Sequence, residues 1–535
     1  MRRRRPAWIA AACLMVTVGT GCAPSGTDES RRQAPSTFVV GVSAEPDYLN
    51  PIISNSAFST RLQELLFLRL AEFGPPPDYA FVPQLAESWE LSDDGLDLTY
   101  RLRTDVTWHD GVPTTAHDVV FTFDLATNEA VAFPERGRVR RLESWEALDD
   151  RTVRFRFRER SWEPIFDTQI AIVPKHLLAD VPVTELAGNG FSRRPVGNGP
   201  WKLRDWVPEQ RVVLEAYDGW HGGRPAIDRL VFRIIPEETT LRTELLTGGV
   251  HLYDRFPNKF FRQDSQNPEL EFQRFSDRGY VYIGWNHARP MFADPRVRRA
   301  LTLATDRRTI IDAFRDGFGE VSAVPLFQGH PDFHPDLAPL PFDPGQAARL
   351  LDEAGWTDRD QDGIRRKDGR RLAFKYMLIA NNEISEEIAT LTHAQFRKLG
   401  IEVTSEFYEW TVYLERLRAK RFDATILSRV GEMIFDPEDT FHSRSIPTEF
   451  NDISFGSAVT DSLIDLAKSM ADRSERRRVW WRFQEEFQKL QPITVLYVSE
   501  TSYPVRRGIV DDPIMDLRGP FYQIAKWHPV GKDTR

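Results

Sequence analysis

Two short runs place acidic, basic and imidazole side chains where chemistry could be done. Asp358-Arg-Asp-Gln-Asp-Gly363 sets three carboxylates at alternate positions, with a glycine for a sharp turn, as an oxygen-ligand loop for calcium begins. Its twelfth position is Gly369, where such a loop needs a bidentate glutamate, so the run reads as an acidic turn between Trp356 and Leu372. In Trp108-His-Asp-Gly111 an imidazole adjoins a carboxylate. Adjacent strand residues point to opposite faces, so His109 and Asp110 are poorly placed to act as an acid–base pair and read as a strand-to-turn corner. The chain carries no His-Glu-x-x-His, Gly-x-Ser-x-Gly, phosphate-loop or dinucleotide fingerprint. We expect no catalytic residue, no metal and no cofactor.

A third reactive group is a thiol. The only cysteines are Cys13 and Cys22. Arg2 to Arg5 form a positive region, and Trp8 to Val18 an apolar stretch too short to span a bilayer. Gly19-Thr-Gly-Cys22 then sets small residues before a thiol that can accept lipid, although Gly19 stands where leucine is usual. We read 1–21 as a signal peptide, 22–36 as a lipidated tether rich in turn formers, and the location as the cell envelope, on the periplasmic or extracellular face. The cysteine-free remainder excludes thiol catalysis, cysteine-bound zinc and a disulfide scaffold. Cleavage before Cys22 removes four arginines and no acid, moving the formal charge from −9 to −13. An acidic exported chain argues against nucleic acid.

The elements that must position any site alternate between strand and helix. Phe38 to Val42 is an apolar run, and Thr60 to Phe73 carries apolar residues at helical spacing. Ser92-Asp-Asp-Gly95 separates two antiparallel stretches, and Thr152 to Arg158 alternates as a further strand. Ser385 is placed to cap a helix that Gly400 stops, with a strand from Ile401 to Phe407. About 500 residues exceed a single core and call for two or three domains.

Val82 to Leu96, Leu98 to Arg103, Trp108-His-Asp-Gly111 and Asp118-Val-Val-Phe121 together resemble the signature of the family 5 extracellular solute-binding proteins. Further matches follow in order: Val196-Gly-Asn-Gly-Pro-Trp201, Phe232 to Glu237, Tyr282-Ile-Gly-Trp-Asn286, and Phe292 to Leu301 with Ala304-Thr-Asp-Arg307. The resemblance implies an α/β bilobed fold, periplasmic-binding-protein type II-like, with an extra inserted subdomain and a two-strand hinge. It implies lobe I at 37–80, 196–291 and 500–535, the insert at 81–195, and lobe II at 292–499. Closure of such lobes traps a ligand and signals loading to a permease.

For the ligand, the resemblance implies that Trp410 lines the pocket and that a Gly-Trp-x-x-Asp pattern after Phe422-Asp423 holds a peptide ammonium. Here the run is Ser428-Arg-Val-Gly-Glu-Met-Ile-Phe-Asp-Pro437. Counting forward places Glu432 at the anchor; counting back places Met433 there. Arg429 replaces the tryptophan and adds a cation suited to a carboxylate or phosphate, unless Arg429 and Glu432 pair with each other or face solvent. Asn55, Ser56 and Ala57 are expected across the cleft, where an extended ligand can pair with backbone. Tyr282, Trp285, Asn286 and Tyr497 are expected near the hinge strands.

The reading is a non-enzymatic, lipid-anchored, monomeric receptor of an ABC importer, capturing a peptide or similar amphipathic solute for a permease and its ATPase. An exported hydrolase on the same scaffold, or a sensor signalling to a partner protein, are the alternatives.

Overall fold

The computed structural model describes residues 36–531 apart from Asn55 and Glu449. The expected signal peptide, Cys22 and Asn55 therefore lie outside the described residues.

Two long antiparallel strands, Leu270–Trp285 and Ile493–Arg506, run through a mixed eleven-stranded sheet. Outward from Ile493–Arg506 lie Leu252–Tyr253, Thr37–Val42, Arg229–Ile234, Arg211–Ala216 and Trp201–Val207. Outward from Leu270–Trp285 lie Ala424–Val430, Ala373–Ile379 and Glu402–Tyr408. Ile493 to Val498 is buried throughout, as expected of a β-branched and aromatic strand covered on both faces.

The two long strands change register midway. Ser276 pairs with Glu500, but the next pair is Tyr280 with Val498. Asp277, Arg278 and Gly279 thus span a gap that a single residue bridges on the partner strand, a bulge that bends and twists the ladder. On either side of it the cores are separate. One joins Phe38, Leu62, Trp108, Phe155, Trp201, Phe232 and Tyr503; the others gather around Trp285, Phe374 and Ile388, and around Tyr282, Trp480 and Phe483. We call these sides the first and second lobes.

A four-stranded antiparallel sheet, in the order Ala86–Leu91, Asp97–Leu102, Thr152–Phe157 and Leu142–Ala147, shares the first lobe's core. Asp97–Leu102 and Thr152–Phe157 follow the alternation in the sequence. The helix expected from Thr60 to Phe73 instead runs over Ala57–Leu66, and Ala71–Phe73 is a strand. Asn198 Oδ1 accepts from the Leu68 amide at 2.8 Å, so a tertiary contact holds the chain just beyond the helix end. The later helix begins one turn before Ser385: Asn382 is its cap, accepting from the Ser385 amide at 3.1 Å. Gly400 follows its end at φ +80°.

Gly197 and Gly199 are required by close approach. A Cβ on Gly197 would lie 1.9 Å from the Leu66 carbonyl oxygen, and one on Gly199 2.6 Å from that of Leu65. His109 belongs to the same junction: its Nδ1 accepts from the Gly197 amide at 3.1 Å and its Nε2 donates to the Gly199 carbonyl at 3.1 Å. Burial lowers its pKa to about 4, keeping it neutral as those two bonds need. Asp110 turns away to His176, 2.7 Å distant.

In the acidic turn, Asp360 Oδ1 accepts from the Asp362 and Ile364 amides at 3.0 and 2.9 Å, and Arg371 contacts Asp360 and Asp362. The Asp360 and Asp362 carboxylates are spent on the turn itself.

Candidate ligand cleft

Ser56 caps the helix Ala57–Leu66 by accepting from the Ser59 amide at 3.5 Å. The apolar residues Phe58, Leu62, Leu65 and Leu66 face the first lobe's core. The opposite stripe at helical spacing is Ala57, Thr60, Arg61 and Glu64, and these keep accessible surface. Thr60 and Gln63 line a cavity of about 250 Å³ with Ser54, Arg69, Phe133 and Glu135. One wall thus comes from the helix and the other from the loop before the insert's second sheet hairpin.

The insert carries arginines towards the second lobe. Arg138 lies 3.1 Å from Glu135, 3.7 Å from Glu432 and 4.3 Å from the centre of the Phe166 ring. Arg141 approaches Asp436 at 4.0 Å. Further along, Arg476 donates to the Trp162 carbonyl at 2.9 Å and pairs with Glu163, while Trp162 meets Trp480 edge to face at 6.2 Å. The lobes therefore touch, and the charges that join them come from arginines on both sides.

The segment after Ala424–Val430 is where the anchor alternatives lay. Glu432 is exposed at the insert while Met433 is buried, its carbonyl accepting from His330 Nε2 at 3.1 Å. The carboxylate, not the thioether, is directed to the other lobe. Its side chain is 59% exposed, so the contact with Arg138 is that of a solvated pair.

Arg429 turns the other way. Nε donates to Tyr282 Oη at 3.0 Å, Nη1 to Thr440 Oγ1 at 3.0 Å, and Nη2 to the Phe450 carbonyl and to Asp452. Burial opposes its charge, but Tyr282 and Asp452 outweigh that and hold the guanidinium above its ordinary pKa. All its nitrogens are engaged inside the second lobe. A cation offered to a ligand anion, as the sequence suggested, is not what this geometry presents; nor does Arg429 pair with Glu432.

The remaining expected residues are dispersed. Trp410 opens the helix Trp410–Arg418, is 55% exposed and stacks on Tyr413 at 6.1 Å. Tyr282 is buried behind Arg429. Trp285 is fully buried and donates to Thr494 Oγ1 at 3.1 Å; Asn286 donates to the Lys420 and Phe422 carbonyls at 3.0 and 2.8 Å; Tyr497 is packed in the second lobe's core. The polar atoms of Tyr282, Trp285 and Asn286 are spent on contacts inside the second lobe.

Sequence reasoning passed over Glu64, Glu135, Arg138 and Arg278. Arg138 sits in the conspicuous Arg136-Gly-Arg-Val-Arg-Arg141, which a search for charge runs would have raised. Glu64 had one signal: it is the acid on the polar stripe of an otherwise apolar helix.

Among the described residues no helix is long and apolar enough to cross a membrane. A family model described as bacterial extracellular solute-binding proteins, family 5 Middle, matches residues 80–452. The oligopeptide-binding protein AppA of Bacillus subtilis is 30% identical over 98% of this chain and 99% of its own. The structure of that protein in complex with a nonapeptide aligns at a TM-score of 0.71 and 29% identity, over 93% of this chain and 100% of the other. Heme-binding protein A of Haemophilus influenzae is 27% identical over 85% of this chain and 86% of its own. HbpA2 of Haemophilus parasuis shares the fold at a TM-score of 0.81, with 24% identity over 91% of this chain and 99% of the other.

Proposed function

The chain belongs to the bacterial extracellular solute-binding proteins, family 5, and from that premise we propose that it is the substrate receptor of an ABC importer for peptides. The observation that carries this is a pair of lobes joined by two crossing strands, bulged at Asp277 to Gly279, with a charged cavity between the first lobe and its insert beside the arginines that reach Glu432 and Asp436 of the second lobe. Such a joint lets the lobes separate by bending at few residues while each core stays intact. A peptide offers what the walls can take: a backbone for the segment around Ser56 and Ala57, and charged ends for the carboxylates and arginines.

The receptor performs no chemistry on its ligand. Lobe I comprises about 37–80, 196–291 and 500–535, the insert 81–195, and lobe II 292–499. Ser56, Ala57, Trp410 and Glu432 supply cleft surface; Arg429, Tyr282, Trp285, Asn286 and Tyr497 hold the second lobe and hinge strands behind it. The protein acts as a monomer outside the cytoplasm, anchored by lipid at Cys22, and delivers its ligand to a permease and ATPase.

The test is native mass spectrometry of the purified protein, followed by calorimetry with synthetic peptides. Peptide masses that dissociate on activation, and saturable peptide binding, are expected. A protein that retains and binds no peptide, or that hydrolyses one, overturns the reading.

A further inference from the structure

We propose that Glu64, and not Glu432, is the carboxylate that receives the cationic amine of the ligand. The inference deepens the peptide-receptor reading and rests on it.

The case begins with position. Glu64 lies one turn after Thr60 and next to Gln63, both on the cavity wall, on the only helix stripe of Ala57–Leu66 that keeps accessible surface. Its carboxyl is surrounded by protein yet is not covered. The side chain is thus open to a ligand that arrives beside the cavity.

The neighbouring charges are already engaged, with one exception. Arg61 pairs with Asp254, Arg69 Nη1 donates to the Gln169 carbonyl at 2.8 Å, and Arg138 is shared by Glu135 and Glu432. Arg278, the exception, sits in the hinge bulge, where its carbonyl accepts from the Gly431 amide at 2.9 Å. Among the described residues neither the Glu64 carboxyl nor the Arg278 guanidinium has a hydrogen bond or ion pair, with each other or elsewhere.

Electrostatics agree with that picture. Burial pushes the Glu64 carboxyl up, and Arg69, Arg61 and Arg278 pull it down without cancelling the rise. A carboxylate that its own protein under-stabilises gains most from a cation brought by a ligand. Glu432 gains less, because it is already beside Arg138. Proton uptake by Glu64 competes with the amine, so affinity for amines falls as pH falls through its pKa.

The experiment compares wild-type, Glu64→Gln and Glu432→Gln in calorimetry against tri- to nonapeptides, each with a free and an acetylated N-terminus. Thermal melting checks that the variants fold, and Glu64→Asp supplies a charge-conserving control. Glu64→Gln should weaken free-amine peptides by about tenfold or more, leave acetylated peptides unchanged and remove the pH dependence; Glu432→Gln should affect free-amine and acetylated peptides alike and keep the pH dependence. Free-amine peptides binding Glu64→Gln as they bind wild type overturns the anchor and leaves the peptide receptor standing. Should wild type bind no peptide of either form, the receptor reading fails, and native mass spectrometry decides the anchor. An amine-bearing ligand retained by wild type and lost from Glu64→Gln upholds it; any other result overturns it.

Discussion

Arg429 Nη2 donates to Asp452 Oδ2 at 2.7 Å in the interior of the second lobe, where Asp452 is 1% exposed. That pair, with Tyr282 and Thr440 on the other guanidinium nitrogens, ties the end of Ala424–Val430 to the 450–452 segment. It holds in place the strand end that leads directly to Gly431 and Glu432. The arginine acts on the cleft through backbone placement.

Breaking this pair should therefore cost stability first. Arg429→Met leaves a buried carboxylate without its cation, for a loss of about 3–5 kcal/mol in chemical denaturation. Adding Asp452→Asn should recover part of that loss, since the uncompensated charge is gone. Equal destabilisation by the single and double changes would rule out the ion pair as the cause.

The junction between Ala57–Leu66 and the segment 197–199 should tolerate no side chain. Gly197→Ala drives a Cβ against the backbone oxygen of Leu66, which cannot swing aside as a side-chain end can. We expect a loss above about 4 kcal/mol, or no soluble protein. A soluble variant with wild-type melting temperature would contradict the packing described.

Stability should fall as pH rises towards neutrality through Glu72. Burial raises this carboxyl to about 7, and Lys526 and Arg518 offset only part of the rise. Its unfolded value is about 4.3, so the folded state holds the proton more tightly. The contribution is present in full below the unfolded pKa and is lost as pH climbs through the folded one. Glu72→Gln should flatten the melting profile between these limits and raise stability at pH of about 8. An unchanged slope would show that Glu72 is not the group responsible.

Membrane attachment should depend on one thiol. Cys22→Ser removes the lipid acceptor, and the described residues include no helix able to span a membrane. Fractionation after a carbonate wash should find the variant in the soluble phase. A variant still in the membrane pellet would refute lipid anchoring.

The α/β class, the hairpin around Ser92 to Gly95 and the strand at Thr152 were set by local rules: turn formers, alternation and β-branched runs act over a few residues. So were the cap of Pro295–Leu303 by Asp294 and the helix stop at Gly400. Family motifs spread along the chain made the two-lobed architecture readable as well, because packing junctions such as Gly197-Asn-Gly199 leave residue types that few alternatives can fill.

The direction of single side chains at the cleft was decided only in the folded molecule. Whether Glu432 or Met433 faced the opposite lobe turned on one residue of register after Val430, which periodicity cannot settle in an irregular segment. Arg429 reads as a ligand contact in the sequence because nothing there shows that Asp452, twenty-three positions later, lies beside it. Glu64 and Arg278 carry no motif. They stand out because the charges around them, Arg61, Arg69 and Arg138, find partners and these two do not, and partnership between distant residues exists only in three dimensions.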